Sequence, residues 1–594
     1  MRKLHATDVV LSADERRRIL RRTWRLLRPQ RAGVILAAVL VVSQAAAQLA
    51  GPAIVRYGID RGVRPRDLGA LNLAVVLFLC TAVLAYVCGR AVIRVVAKVG
   101  ERFLRDLRER VFAHQLSLSM EFFDRNQTGK LVSRMTSDIE SLQELVGQGL
   151  TLFLVNTLLL TGAMIVMITM SWQLALGTLV VVPGVVAATV WFRRRSNVAY
   201  LNLRDRIGTT LSTLQEGLAG VRVVQAFGQE PTFLDRFSET NEAQYRAQMR
   251  TERLACLYFP VIELAQGTAI AVILGLGGFL SSREAVTVGT VAAFVLYLQN
   301  LFEPIQQLSQ LFNTLQAAAA ALHKLYGLLD EVPAVRERPG AIDLPAGGAL
   351  DVRGIAFAYR PDLPAVLEGV SITVEPGQRL ALVGPTGAGK STLAKLMVRF
   401  YDPTAGTVSL DGVDLRDATL RSLRERIIVV PQEGFLFGGT IRDNLLLGRP
   451  GATDDEVRAA IGRLGLSPRF AAFPGGLDTE VRERGANFSA GERQLVSLVR
   501  AALADPSVIV LDEATSSLDP GTELVVERAL ERLMEGRTVI VIAHRLSTAA
   551  RADRVAVVQG GRLVEEGTHE DLVAREGAYA ALFASWAGGV GEVA

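Results

Sequence analysis

Lysine is scarce in this sequence. It stands only at positions 3, 98, 130, 324, 390 and 395, so nearly all of the 65 basic residues are arginine. With its many alanines, this bias fits a GC-rich bacterial genome, and it singles out any lysine kept where arginine is the default. Cysteine is also rare. Cys80, Cys88 and Cys256 all lie in apolar stretches, which excludes a disulfide framework or a cysteine metal site and leaves small buried hydrophobes. The chain has only five histidines. It shows no internal repeat and no low-complexity tract. The first 30 residues are charged and have no hydrophobic core before the apolar run at Ala32, so no cleavable signal peptide is expected.

Apolar sequence, in contrast, is abundant. Half of the 594 residues are hydrophobic, mean hydropathy is +0.29, and so long a chain needs more than one core. The apolar residues concentrate in the first 325 or so positions. Six segments there, near 32–55, 70–96, 147–171, 173–192, 254–280 and 287–310, are long enough to cross a hydrocarbon layer of about 30 Å. Pro52, Pro183, Pro260 and Pro304 lie within or near them, which membrane helices tolerate. An even number of spans puts both chain ends on one side, and the arginine-rich start places that side in the cytoplasm. Segment 56–67 would lie outside despite Arg56, Arg61, Arg64 and Arg66, with Asp60 and Asp67 as a partial offset.

The net charge of +5 fits either nucleic acid or a membrane surface. The clusters at Arg16, Arg17, Arg18, Arg21, Arg22 and Arg25, and at Arg193, Arg194 and Arg195, flank apolar runs. The expected partners are therefore anionic lipid headgroups and not nucleic acid. Two connections, 97–146 and 193–253, are charged but keep a helical apolar spacing. No Gly/Pro break separates them from the spans, so the membrane helices are expected to run on into the cytoplasm. After Leu329, Pro333, Pro339, Gly340, Pro345, Gly347 and Gly348 mark a linker, and strand-like and helix-like segments then alternate.

Chemistry concentrates in this last part. Gly384, Pro385, Thr386, Gly387, Ala388, Gly389, Lys390 and Ser391 fit G-x-x-x-x-G-K-[ST]. A β-like run at 379–383 precedes them and a helical run at 392–400, opening at Thr392, follows. The glycines let backbone N–H groups wrap phosphates. Lys390 supplies a mobile point charge, and the Ser391 hydroxyl can bind Mg²⁺; the planar fork of arginine is a poor substitute for that lysine. A second apolar run, 508–511, ends in Asp512 and Glu513. Asp512 can hold Mg²⁺ through water, and Glu513 can polarise an attacking water. A third, 538–543, ends in His544, placed to touch a γ-phosphate.

The segment Asn487-Phe488-Ser489-Ala490-Gly491-Glu492-Arg493-Gln494 resembles the signature motif of ATP-binding-cassette (ABC) proteins, and it lies between the phosphate loop and the Asp-Glu run as in that family. With six preceding spans, the chain resembles a half-size exporter of the multidrug type. The resemblance implies an α-helical six-span membrane domain of the ABC exporter type followed by an α/β P-loop ABC ATPase domain. The boundaries expected are a cytoplasmic N-terminal segment with an interfacial helix (1–31), the membrane domain with long cytoplasmic extensions (32–328), a linker (329–349) and the nucleotide-binding domain (350–594). It also implies ATP and Mg²⁺ as cofactors. In its terms Tyr359 stacks on adenine, Gln432 senses Mg²⁺ and nucleotide, Glu513 is the catalytic base, His544 is the switch histidine, and Asp519 belongs to a loop at the dimer interface. Ser489 and Gly491 serve an ATP held by a partner's phosphate loop, so two chains and two ATP molecules are implied.

The usual Leu-Ser-Gly-Gly-Gln here reads Phe-Ser-Ala-Gly-Glu, and Arg482 replaces a glycine common in exporters. Unequal sites of this kind favour a heterodimer over a homodimer. Phe122-Phe123-Asp124 with Thr128-Gly129, and Glu216-Gly217 through Glu230, resemble the family's two cytoplasmic loops, whose short helices dock on ATPase domains, the second on the partner's. Gln44, Gln48, Glu263, Gln266, Gln299, Asn300 and Glu303 lie within spans, where they line a cavity or bond neighbouring helices. The expected function is ATP-driven export of amphipathic compounds or lipids across the bacterial plasma membrane. An importer on the same frame is one alternative. An ATP-gated channel or regulatory ABC protein is another, and Glu513 and His544 argue against it.

Overall fold

The computed structural model describes residues 13–512, 520–543 and 546–591. Uninterrupted apolar runs that pass directly into charged ones form single long helices. Leu68–Leu116 has 49 residues, Glu230–Ser282 has 53 and Val288–Leu329 has 42. At about 1.5 Å per residue the longest reaches roughly 80 Å, well over twice a hydrocarbon layer. Among the described residues, six helices are long and apolar enough to cross a membrane: Arg17–Val63, Leu68–Ser117, Thr128–Met170, Trp172–Ala219, Glu230–Ser282 and Val288–Leu308. The fourth is broken after Leu179 and restarts at Val182, with Pro183 in its first turn, where the missing N–H costs nothing.

The chain divides into two units. One holds Met1–Leu116 and Thr128–Glu331, the other Ser117–Gln127 and Val332–Ala594. In the first unit, aromatic residues fill the space between spans. Tyr258 stacks on Phe192 at 4.2 Å, and the Tyr297 hydroxyl donates to the Leu49 carbonyl at 2.6 Å, in the turn that Pro52 perturbs. Leu77, Phe78, Val83, Leu84 and Tyr86 face outward, as lipid-facing positions must.

Asp60 does more than offset nearby arginines. Its carboxylate accepts from the Thr287 hydroxyl (2.5 Å) and the Gly289 N–H (2.9 Å), so an acid from the first span caps the N-terminus of the sixth. Among the polar residues within spans, Glu303 accepts from Gln307 (2.9 Å), and Gln307 accepts from Asn156 (2.8 Å); at that position the polar group bonds helices. The N-terminal helix Ala13–Leu27 packs Ile19 near Tyr326. Arg22 lies 4.7 Å from the centre of the Tyr326 ring and donates to Asp330 at 2.6 Å.

The second unit holds two main sheets. An antiparallel sheet runs in the order Leu367–Val374, Leu350–Phe357, Ala405–Leu410, Val413–Asp414. A six-stranded sheet runs Arg562–Gly567, Arg554–Gln559, Arg379–Val383, Thr538–Ile542, Val508–Asp512, Ile427–Val430, and all of its pairs are parallel except the first. The inner strands are apolar except at their end residues, because both faces are covered. One core joins the sheets around Leu380, Leu382 and Leu393. A second gathers the helices Ile441–Leu446, Asp454–Arg463 and Ala490–Ala504 around Leu445, Val457 and Leu498.

Candidate nucleotide-binding site

Four neighbouring parallel strands end on one edge, and the predicted segments leave from those ends. Leu382 pairs with Ile542, Ile542 with Asp512, and Leu511 with Val430. Gly384 therefore follows the first strand, Ala543 the second, Asp512 closes the third, and Gln432 lies two residues past the fourth. At about 4.8 Å between strands, the four ends span roughly 14 Å, on the scale of a triphosphate with its ion. Open α/β sheets place their ligands at such carboxyl ends.

The phosphate loop needs its glycines. Gly384 has φ +149°, and a Cβ there would lie 2.0 Å from the Val558 carbonyl oxygen. Gly389, with φ +105°, caps the helix Lys390–Met397, and a Cβ there would meet Leu367 at 2.7 Å. The helix thus begins two residues before the expected 392 and ends at Met397, because Arg399 takes a positive φ of 51°. Lys390 is 6 % exposed, and its ammonium donates to the carbonyls of Gly384 (2.7 Å) and Pro385 (3.0 Å). Ser391 is exposed in the first turn, whereas Thr392 is buried. Pro385, Thr386 and Gly387 are exposed and Ala388 is buried. The Thr392 hydroxyl lies 2.9 Å from that of Tyr359, so the expected adenine platform reaches back to the phosphate loop.

Gln432 is exposed, and the loop after it is pinned. A Cβ on Gly434 would meet the Arg493 carbonyl oxygen at 2.4 Å. Arg500 donates to the carbonyls of Phe435 (2.7 Å) and Asn444 (2.6 Å) and to the Asn444 side chain (2.5 Å). Burial pushes its guanidinium down to about 10. Sequence reasoning passed over Arg500. Its one signal is a lone charge in the apolar run 494–504.

The signature segment opens the helix Ala490–Ala504 with a capping box. The Ser489 hydroxyl accepts from the Glu492 N–H (3.2 Å), and the Glu492 carboxylate accepts from the Ser489 N–H (2.8 Å). Glu492, read as a departure, is thus the reciprocal half of the cap. As an acceptor, Ser489 keeps its own O–H to donate. Ser489 and Ala490 are exposed and Gly491 is buried. This helix packs into the second core, whereas the phosphate loop sits on the first. Glu513, His544 and Asp519 lie outside the described residues.

A six-span helical unit followed by a parallel sheet carrying a phosphate loop defines a membrane protein that handles nucleotide. Residues 34–305 match the family profile of the ABC transporter transmembrane region, and residues 367–516 match that described as ABC transporter. An ATP-dependent lipid A-core flippase of Syntrophus aciditrophicus (strain SB) is 37% identical over 482 residues, 81% of this chain and 80% of the relative. The multidrug efflux ATP-binding/permease protein Rv0194 of Mycobacterium tuberculosis is 36% identical over 564 residues, and the chain spans 47% of that protein's length. A solved bacterial Atm1-family ABC exporter with ATP bound superposes with a TM-score of 0.78 at 30% identity, covering 93% of this chain and 98% of that one. The chain belongs to the ABC transporter family. It is a multi-pass inner-membrane protein with a cytoplasmic ATPase domain that binds nucleotide and couples hydrolysis to transport, and it works as a dimer of half-transporters.

Proposed function

We propose that this chain exports amphipathic compounds or lipids, with ATP and Mg²⁺ held at a site that a second half-transporter completes. The observation that carries the reading is the row of four strand ends bearing Gly384, Ala543, Asp512 and Gln432. Lys390 and the backbone of Gly384, Pro385, Thr386, Gly387, Ala388 and Gly389 would hold the phosphates, and Tyr359 the base. Ser391, Gln432 and Asp512 offer the hard oxygen donors that Mg²⁺ takes, and few are needed where phosphates supply the rest. When bound, the ion neutralises charge on the phosphates. Glu513 would orient and deprotonate the attacking water, His544 would contact the γ-phosphate, and Asp519 would face the interface.

One exposed helix supports a partner chain. The short helix Val221–Ala226 and the residue after it leave Val223 and Phe227 exposed, as a helix docking on another subunit would. The flippase and efflux relatives support a lipid or amphipathic substrate. In vesicles containing the purified transporter, ATP is expected to drive a fluorescent phospholipid or an amphipathic dye away from the ATPase side. Movement toward that side, or a steady conductance without directional movement, would overturn the export reading.

Glu492 also supports a heterodimer. Its carboxylate occupies the Ser489 N–H at the helix N-terminus, a negative charge where the partner's ATP phosphate would approach. That weakens the site served by this signature and leaves the stronger one to a non-identical partner. Glu492→Gln keeps the cap acceptor and removes the charge. It is expected to raise nucleotide affinity at the site using this signature by about two- to fivefold, read by equilibrium binding. An unchanged affinity argues against a handicapped site, and purification of this chain alone as an active dimer argues against the heterodimer.

A further inference from the structure

The helix Met120–Arg125 belongs to the second unit and carries a group whose reach goes beyond docking. The Asp124 carboxylate accepts from the Tyr401 hydroxyl at 2.6 Å and from the Lys395 ammonium at 3.0 Å. Burial works against its charge, but these two donors outweigh burial and hold the carboxyl below its usual range. Burial, and then Asp124 itself, push the Tyr401 hydroxyl up, so it stays protonated as a donor.

Both donors touch Tyr359. Lys395 lies on the phosphate-loop helix, one turn past Ser391, with its nitrogen 6.0 Å from the centre of the Tyr359 ring and 5.8 Å from that of Tyr401. Tyr401 meets Tyr359 edge-on at 5.4 Å. Arg125, one residue past Asp124, donates to the Tyr359 carbonyl at 3.0 Å. The Tyr359 ring is thus fixed by its backbone, one edge, a cation near its face and its hydroxyl on Thr392. The ring also meets Phe357 edge-on at 5.0 Å; that contact and the one with Thr392 are independent of the helix Met120–Arg125.

We propose that Asp124 is a positioning residue for the nucleotide base: by holding Lys395 and Tyr401 in place it sets the orientation of the Tyr359 ring, and so the affinity for ATP. The proposal rests on the reading of Tyr359 as the adenine platform. The ion pair itself is not the source of the effect. Lys395 and Asp124 are 36% and 39% exposed, and pairs so open to water contribute little. What matters is geometry, since stacking depends on the angle between base and ring.

The test uses the full-length transporter in lipid vesicles. Asp124→Asn preserves shape and still accepts from Tyr401, but it releases Lys395. Its KM for ATP is expected to rise about three- to tenfold, toward the rise of roughly tenfold for Tyr359→Ala, with kcat nearly unchanged. Binding of inorganic triphosphate, which has no base to stack, should not move. The exchanged pair D124K/K395D should recover part of the lost affinity, and Tyr401→Phe should raise KM in the same direction. A fall in kcat at constant KM, or equal losses of ATP and triphosphate binding, would overturn the proposal. If Tyr359→Ala raises KM and Asp124→Asn does not, Asp124 has no positioning role and the platform stands. If Tyr359→Ala leaves KM unchanged, the platform reading fails and takes the proposal with it.

Discussion

Lys390→Ala is expected to lower ATP turnover by about two to three orders of magnitude, the scale seen when a charge aimed at a reacting group is removed. Transport should fall in parallel. Lys390 is 6 % exposed, and its ammonium already sits on the Gly384 and Pro385 carbonyls. It is therefore held against the loop that would wrap the phosphates. Alanine leaves the part-buried carbonyls of Gly384 and Pro385 short of a donor, so part of the loss would come from the loop itself. Lys390→Arg separates the two effects. It keeps the charge and can still donate, but the larger planar group does not fit a space shaped for a slender amine. Both variants should be inactive, with melting temperatures near that of the parent. If Lys390→Arg hydrolyses ATP at the parental rate, charge alone suffices and the fitted geometry is irrelevant.

Much of this site could be read before any fold was known, for a physical reason. The phosphate loop is local: a strand, a glycine turn and a helix within about twenty residues, each demanded by backbone geometry at Gly384 and Gly389. The membrane helices were legible for the same kind of reason, because a span must be apolar along its own length. What escaped depends on residues far apart in the chain. Asp60 looked like a counter-charge among arginines until the structure placed it at the N-terminus of the helix 228 residues on. Arg500 and Asp124 likewise act on groups 65 and 277 residues away, Phe435 and Tyr401. Glu492 is the instructive middle case. Its three-residue spacing from Ser489 is itself a capping-box pattern, yet the resemblance to a motif with glutamine there drew attention to the departure instead of the cap.

Glu513→Gln is expected to reduce steady-state hydrolysis by about two to four orders of magnitude, the contribution of a positioned general base, while ATP still binds. The side chain is nearly unchanged in shape, so the variant should stay folded and accumulate the ATP-bound dimer. The expectation comes from chain order. Asp512 ends the strand Val508–Asp512, beside Ile542 in the neighbouring strand and two strands from Leu382, so the strand that precedes Glu513 in sequence ends on the edge that carries the phosphate loop. Asp512 and Glu513 should then separate by phenotype. Loss of Asp512, assigned to the ion, should make activity depend on raised Mg²⁺; loss of Glu513 should not respond to Mg²⁺ at any concentration. In a heterodimer the Glu513→Gln defect should be nearly complete, because this chain supplies the base of the site that uses the partner's intact signature. In a homodimer of two equal sites, a single mutated copy should leave a substantial fraction of turnover. Titrating variant against parent chain in one preparation, and following hydrolysis against the mixing ratio, reads the catalytic base and the pairing together. Parental turnover in the pure variant would remove Glu513 from the mechanism.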